Sequence, residues 1–151
     1  VFADLNLDSL RDVTCFGMAD GGAYVENITG GLMPPFDVDW NNITGTYDTE
    51  TGIPDGGAAD IDNLIGGVWT VVVTDQFGCS WSETFEIFEP EEMEFSFSWN
   101  EPNCWGFTDG SVTANVTGGN GDYTYTITDT ADNVLNISNS NTANNLPTGW
   151  Y

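Results

Sequence analysis

The chain contains the same pattern twice, and this repeat constrains its fold more than any other feature. The first copy reads Cys15-x-Gly17-x-x-Asp20-Gly21, then a short alternating run, then Asn27-Ile28-Thr29-Gly30-Gly31. The second reads Cys104-x-Gly106-x-x-Asp109-Gly110, then a run one residue different in length, then Asn115-Val116-Thr117-Gly118-Gly119. Further on, the stretch from Asn63-Leu64 to Trp69 lines up with that from Asn145-Leu146 to Tyr151. Two matches in the same order define a tandem array. Unit 1 is expected over residues 1–90 and unit 2 over 91–151. Nothing in unit 2 corresponds to the Thr70–Phe88 stretch, so it is expected to lack two strands and a second cysteine. A start at Val1 without Met reads as a processed or excerpted chain.

Strands are legible from period-2 alternation. Met93, Phe95, Phe97 and Trp99 alternate with Glu94, Ser96 and Ser98, and Tyr123, Tyr125 and Ile127 alternate with threonines. Val112, Ala114 and Val116 form another such set, Trp69–Thr74 is a Val-rich run, and Trp81, Phe85 and Ile87 share one face. Asp-Gly, Gly-Gly, Pro-Pro and Asn-Gly turn signals separate them. Short strands, frequent turns and no helical period predict an all-β chain of sandwich type. Trp40, Trp69, Trp81 and Trp99 are expected in the core. The Ile43–Ala58 stretch, without a counterpart of equal length in unit 2, reads as an extended hairpin or a loop.

Composition narrows the function. With 24 acidic residues, Arg11 as the one basic residue and no His, the formal net charge is −23. Nucleic acid is excluded as a partner, because binding it needs a basic footprint. No apolar run approaches the length of a membrane span, so no membrane insertion is expected. The lack of His removes Ser-His-Asp and Cys-His machinery. Paired carboxylates keep a glycosidase as a formal alternative, but evenly scattered acids on a repeated scaffold predict no enzyme.

Cys15 falls just after the first predicted strand and Cys79 opens the sixth. A bridge between them would close a loop of about 65 residues, worth roughly 4 kcal/mol in the chain-entropy model, and would imply an oxidising compartment. Two buried free thiols are the alternative. Cys104 repeats Cys15 and is expected to be unpaired within this chain, its partner lying beyond Tyr151 or in another molecule.

The ordered set Cys15-x-Gly-x-x-Asp-Gly, Gly30-Gly31, Pro34-Pro35-Phe36-Asp37-Val38-Asp39-Trp40, Gly67-x-x-Thr70-Val71-x-Val73-Thr74-Asp75-x-x-Gly78-Cys79 and Glu89-Pro90 resembles the SprB-type repeat of Bacteroidetes surface adhesins. The resemblance spans unit 1 and the first two-thirds of unit 2. It implies two tandem Ig-like β-sandwich domains, the second incomplete at its C-terminus. It also implies export to the cell surface and a place in a long filamentous adhesin of the gliding-motility type. Unit 2 departs from it with Gly119-Asn120-Gly121-Asp122 where unit 1 has Pro34-Pro35.

Candidate sites follow. N-x-[ST] sequons begin at Asn27, Asn42, Asn115 and Asn136. The resemblance adds O-glycan candidates of the Asp-[ST]-apolar type at Ser9 and Thr130. Asp37 with Asp39, and Asp60 with Asp62, are the candidate Ca²⁺ ligands, since i and i+2 on a strand share a face; an acidic solvent face is the alternative. Asp20 and Asp109 are explained by turn chemistry. Trp105 and Phe107 lie in a loop and are candidates for polysaccharide contact, with Phe16 and Met18 at the same positions of unit 1. The alternating run Val1, Ala3, Leu5 and Leu7 is a candidate donor strand for the incomplete unit of a neighbouring copy, or else unit 1's own first strand.

Overall fold

A computed structural model describes residues 1–149, apart from the side chains of residues 46 and 135–138; Trp150, Tyr151 and the Asn136 side chain lie outside the described residues. The chain divides into two compact units, Val1–Pro90 and Glu91–Tyr151.

In unit 1, alternation in sequence becomes alternation in burial. Along β6 (Gly67–Asp75), Trp69, Val71, Val73 and Asp75 point inward and the residues between them outward. Along β3 (Phe36–Asn42), Phe36, Val38 and Trp40 are fully buried. β-Branched and aromatic side chains suit such a half-buried pleated surface. With β4 (Gly45–Ile53) and β7 (Ser80–Ile87) these strands form a four-stranded antiparallel sheet of order β4-β3-β6-β7. The second sheet has the order β1-β2-β5, from β1 (Phe2–Leu5), β2 (Gly21–Thr29) and β5 (Gly57–Leu64). Ala23, Val25 and Ile28 on β2 and Ala59, Ile61 and Leu64 on β5 join Trp40, Trp69, Phe85 and Ile87 in one core. Two antiparallel sheets around one core make an Ig-like sandwich. Each fully buried large side chain stabilises it by about 1.5–3 kcal/mol. Trp40 meets Phe85, two strands away on the inner face of the same sheet, edge-on at 6.2 Å between ring centres.

The 43–58 stretch is a structural strand. It supplies β4, the edge of the larger sheet, paired with β3 from Phe36–Ile53 to Asn42–Gly45. This moves Cys79 from the sixth strand to the start of the seventh. Five strands, β2 to β6, therefore separate Cys15 from Cys79, and each crosses the sandwich once. An odd number of crossings places the two cysteines at opposite poles. Val13 N donates to Phe88 O at 3.1 Å, so Cys15 lies beside the end of β7. Cys79 precedes the start of the same strand, whose pairing with β6 runs without a bulge from Ser80 to Ile87. Nine residue steps of extended chain from Cys79 to Phe88 span roughly 30 Å, and a disulfide needs Cα atoms within about 7 Å. The expected Cys15–Cys79 bridge is therefore corrected: both thiols are free, and both are exposed.

Unit 2 repeats the architecture strand for strand as far as it goes. β8 (Glu94–Asn100), β9 (Gly110–Thr117) and β12 (Thr142–Leu146) form a sheet of order β12-β9-β8, matching β5-β2-β1. β10 (Tyr125–Thr128) and β11 (Val134–Ser138) form a hairpin matching β3 and β4. Among the described residues there is no counterpart of β6 and β7. The match extends to single atoms. A Cβ on Gly21 would lie 2.9 Å from Leu64 O, and one on Gly110 would lie 2.9 Å from Leu146 O. The residue before each leucine, Asn63 or Asn145, has φ of 60°.

Candidate functional site

Two kinds of surface stand out once the units are laid side by side: loops that present cysteines, and an uncovered apolar face.

Each cysteine sits in a loop closed by an aspartate. In the first, the Asp20 carboxylate accepts from Thr14 N at 3.0 Å and from the Thr14 hydroxyl at 2.6 Å. Met18 N donates to Cys15 O at 3.1 Å, and Gly17, at φ +76°, makes the left-handed step in this turn. Gly17 N also donates to the Glu89 carboxylate at 2.7 Å, tying the loop to the end of unit 1. Unit 2 builds the same loop: Asp109 accepts from Asn103 N at 3.1 Å and from the Asn103 amide, and Phe107 N donates to Cys104 O at 3.1 Å. The third loop lies at the opposite pole of unit 1. Asp75 is 4% exposed and accepts from Leu32 N, Phe77 N and Cys79 N at 2.8, 2.9 and 2.8 Å. It ties the β2–β3 loop to the β6–β7 turn. A Cβ on Gly31 would come within 2.7 Å of its carboxylate, so only glycine fits there.

These hydrogen bonds set the electrostatics. The Thr14 hydroxyl, followed by the Thr14 backbone N–H, holds Asp20 below the ordinary range. The Asn103 side chain does the same for Asp109, and the Leu32 N–H foremost for Asp75. Asp129 is lowered chiefly by the Asn133 side chain, in the turn between β10 and β11. Glu50 moves the other way, raised by desolvation.

The cysteine loops carry large apolar side chains in the open. Phe16 and Met18 are exposed beside Cys15, and Leu32 and Phe77 beside Asp75 and Cys79. Trp105 is 92% exposed beside Cys104 and borders an open depression with Gly106, Pro147 and Thr148. Phe107 is also exposed.

The uncovered face belongs to unit 2. Phe95, Phe97 and Trp99 lie on one face of β8, at 69%, 58% and 66% exposure, where Ala3 and its neighbours on β1 face the unit 1 core. The expectation that Trp99 is a core residue is corrected: among the described residues, unit 2 has no second sheet large enough to cover it. Trp81 is half-buried, whereas Trp40 and Trp69 are buried.

The remaining candidates are dispersed. Val1, Ala3 and Leu5 belong to or flank β1, which pairs with β2 from Phe2–Thr29 to Leu5–Val25, and Ala3 is in the core. The N-terminal run thus occupies its own sheet in this structure, and Leu7 lies beyond it in a short 3₁₀ turn. Asp37 and Asp39 are on β3 and Asp60 and Asp62 on β5, in different sheets. Asp39 accepts from the Thr49 hydroxyl at 2.6 Å and Asp62 pairs with Arg11 at 2.7 Å. Among the described residues no three acidic or sulfur side chains converge as a metal site. Asn27 and Asn115 are exposed on strands, Asn42 caps the β3–β4 turn by accepting from Thr44 N at 2.8 Å, and Asn136 lies on β11. Ser9 and Thr130 are exposed. Turn chemistry was legible at Asp20 and Asp109 from their Asp-Gly pairs, whereas the Asp75 clamp, marked by Thr-Asp-x-x-Gly-Cys, went unread.

Comparison with known proteins agrees with the unit 2 pattern. No curated protein and no solved structure matches the chain. Residues 95–132 match the family model of the SprB repeat, which covers β8, β9, β10 and the loop holding Cys104. That family is a structural repeat associated with surface adhesins. With this match inside unit 2, and with the same motifs and strand order in unit 1, the chain carries a SprB-type repeat.

Proposed function

We propose that this chain is a structural module of an extracellular filament or large cell-surface adhesin, and that its second unit is completed by strands donated from outside that unit. The observation behind this reading is the pair of units itself. Unit 1 closes its core with β6 and β7, whereas unit 2 has the same first strands and leaves Phe95, Phe97 and Trp99 uncovered. An open apolar face and a free strand edge along β10 are what β-augmentation fills. The best-fitting donor has the β6–β7 pattern, not that of Val1–Leu7, because β6 is what borders β3 in unit 1. Secretion, glycan attachment and head-to-tail partners of the same kind go with this reading.

The test is a titration of ¹⁵N-labelled chain with a peptide of residues 67–88. Saturable shifts at β8 and β10, weakened by Trp99→Ala, are expected. Shifts spread evenly over both units, or none at millimolar peptide, would refute strand completion.

A second reading, a carbohydrate-binding adhesin module, is favoured by one observation: the Trp105 ring stands almost fully exposed over a depression. It predicts saturable polysaccharide binding that falls on Trp105→Ala. No binding across a broad glycan panel would end it.

A further inference from the structure

A space that is filled in unit 1 is open in unit 2. In unit 1, Glu89 lies just past the end of β7 and touches both the turn after Cys15 and the loop between β5 and β6. Its carboxylate accepts from Gly17 N at 2.7 Å. Its stem lies so close to Gly66 that a Cβ there would come within 2.3 Å of Glu89 Cβ. Pro90, the next residue, is buried. In unit 2 the equivalent space is a depression of about 190 Å³ lined by Trp105, Gly106, Pro147 and Thr148. By the repeat, these are the counterparts of Phe16, Gly17, Ile65 and Gly66. The backbone matches too: φ is +76° at Gly17 and +81° at Gly106, and 60° at both Asn63 and Asn145. Among the described residues no acid lines the depression, and Trp105 beside it is 92% exposed.

We propose that this depression is a binding site for a glutamate side chain of a polypeptide, with Gly106 N donating to its carboxylate. The inference rests on the strand-completion reading and adds what the completing segment carries: a glutamate just past its β7-type strand, followed by proline, as in Phe88-Glu89-Pro90. A backbone N–H donating to an ionised carboxylate makes one of the stronger hydrogen bonds. The Trp105 ring supplies an apolar wall for the glutamate methylenes and the proline. Thr148 in place of Gly66 makes one difference. Carbon atoms in contact stay about 3.5–4 Å apart, so the incoming stem sits about 1–2 Å farther out than Glu89 does in unit 1. The depression is open to solvent and leaves room for that shift. This assignment gives to a peptide the depression that the carbohydrate reading gives to a sugar.

The experiment titrates the whole ¹⁵N-labelled chain, under reductant, with three C-terminally amidated peptides. They are residues 67–88, residues 67–90, and residues 67–90 with Glu89→Gln. The 67–90 peptide is expected to bind about tenfold or more tighter than 67–88, to move the Gly106 amide and Trp105 indole signals saturably, and to lose that gain on Glu89→Gln. Gly17, which already holds its own Glu89, is the internal control and is expected not to move. The sign separates recognition from charge alone. The chain carries −23, so repulsion by itself makes the Gln peptide bind tighter, not weaker. Equal binding of 67–88 and 67–90, or tighter binding of the Glu89→Gln peptide, would overturn the proposal and leave strand completion standing. No binding by any of the three would overturn both. An oligogalacturonate that moves Gly106 and Trp105 when the 67–90 peptide does not would overturn it in favour of an acidic glycan.

Discussion

Gly21 is where the fold leaves least room, so replacing it by alanine tests the packing argument most directly. Its φ lies outside the left-handed region, so alanine meets no backbone penalty there. The added methyl would instead lie 2.9 Å from Leu64 O, 2.9 Å from Ile87 Cγ2 and 3.1 Å from Arg11 O. Two of these are backbone atoms flanking β2 on both sides, through the Gly21–Leu64 pairing and the Arg11–Gly22 bridge. No side-chain rotation relieves them. Overpacking of this kind costs about 1–3 kcal/mol, and the stiffer unfolded chain offsets about 0.4–1 kcal/mol. The net loss of about 1–2 kcal/mol lowers the unit 1 transition by about 4–16 °C for a domain of this size. Differential scanning calorimetry of the whole chain at pH 7 measures it. Gly17 is the contrast: its φ is +76° with nothing within 4 Å of a Cβ, so its penalty is conformational. Asparagine, which visits the left-handed region, is expected to recover stability at position 17 and not at position 21. A Gly21→Ala chain that melts at or above the parent temperature would refute the close-contact reading. Gly110→Ala is the same experiment in unit 2, with contacts of 2.9 Å to Leu146 O and 3.1 Å to Pro102, and it is expected to move only the unit 2 transition.

Trp40→Ala is expected to destabilise unit 1 by about 3–5 kcal/mol in urea unfolding, because the ring is fully buried and leaves a cavity. Trp99→Ala is expected to stay within about 0.5 kcal/mol, since the ring is already in solvent; equal losses would contradict the open face of unit 2. The acid response has a definite sign. Asp20, Asp75, Asp109 and Asp129 are held below the ordinary carboxylate value of 3.8, so their stabilisation is full above that pH and is lost as pH falls through their lower folded values. Circular dichroism at low protein concentration is expected to show loss of structure only below about pH 4, with a weaker acid dependence in Asp75→Asn. Loss beginning near pH 6 would refute the assignment.

Much of the architecture was legible because strand alternation and burial share one cause. The alternation at Trp69, Val71 and Val73 marks β6 directly, and the Cys-x-Gly-x-x-Asp-Gly repeat marks the loop before β2 and β9. Two features escaped. The 45–53 segment, Gly-Thr-Tyr-Asp-Thr-Glu-Thr-Gly-Ile, has few apolar residues because β4 is an edge strand, so periodicity could not claim it as a strand. That one strand changes the parity between Cys15 and Cys79 and reverses the disulfide inference, since sequence spacing carries no information about which pole a residue reaches. The exposure of Trp99 escaped for a different reason: alternation says which residues share a face, not whether a second layer covers that face.

The same parity fixes where unit 1 begins and ends. Seven strands bring the chain into unit 1 at the pole of Val1 and out at the pole of Phe88. The sides are closed to growth. Every edge strand of unit 1 carries exposed acids: Asp4 on β1, Asp60 and Asp62 on β5, Asp48 on β4, and Glu83 and Glu86 on β7. Charged edges of one sign block edge-to-edge pairing between copies, and Arg11 is the one cation in the whole chain available to neutralise them. Its pair with Asp62 is more than half exposed and worth little on its own. Lateral association is therefore repelled. The exposed large apolar side chains beside the cysteines sit at the poles, in the loops of Phe16, Phe77 and Trp105. Unit 1 is thus acidic along its edges and apolar at the poles where its cysteine loops lie.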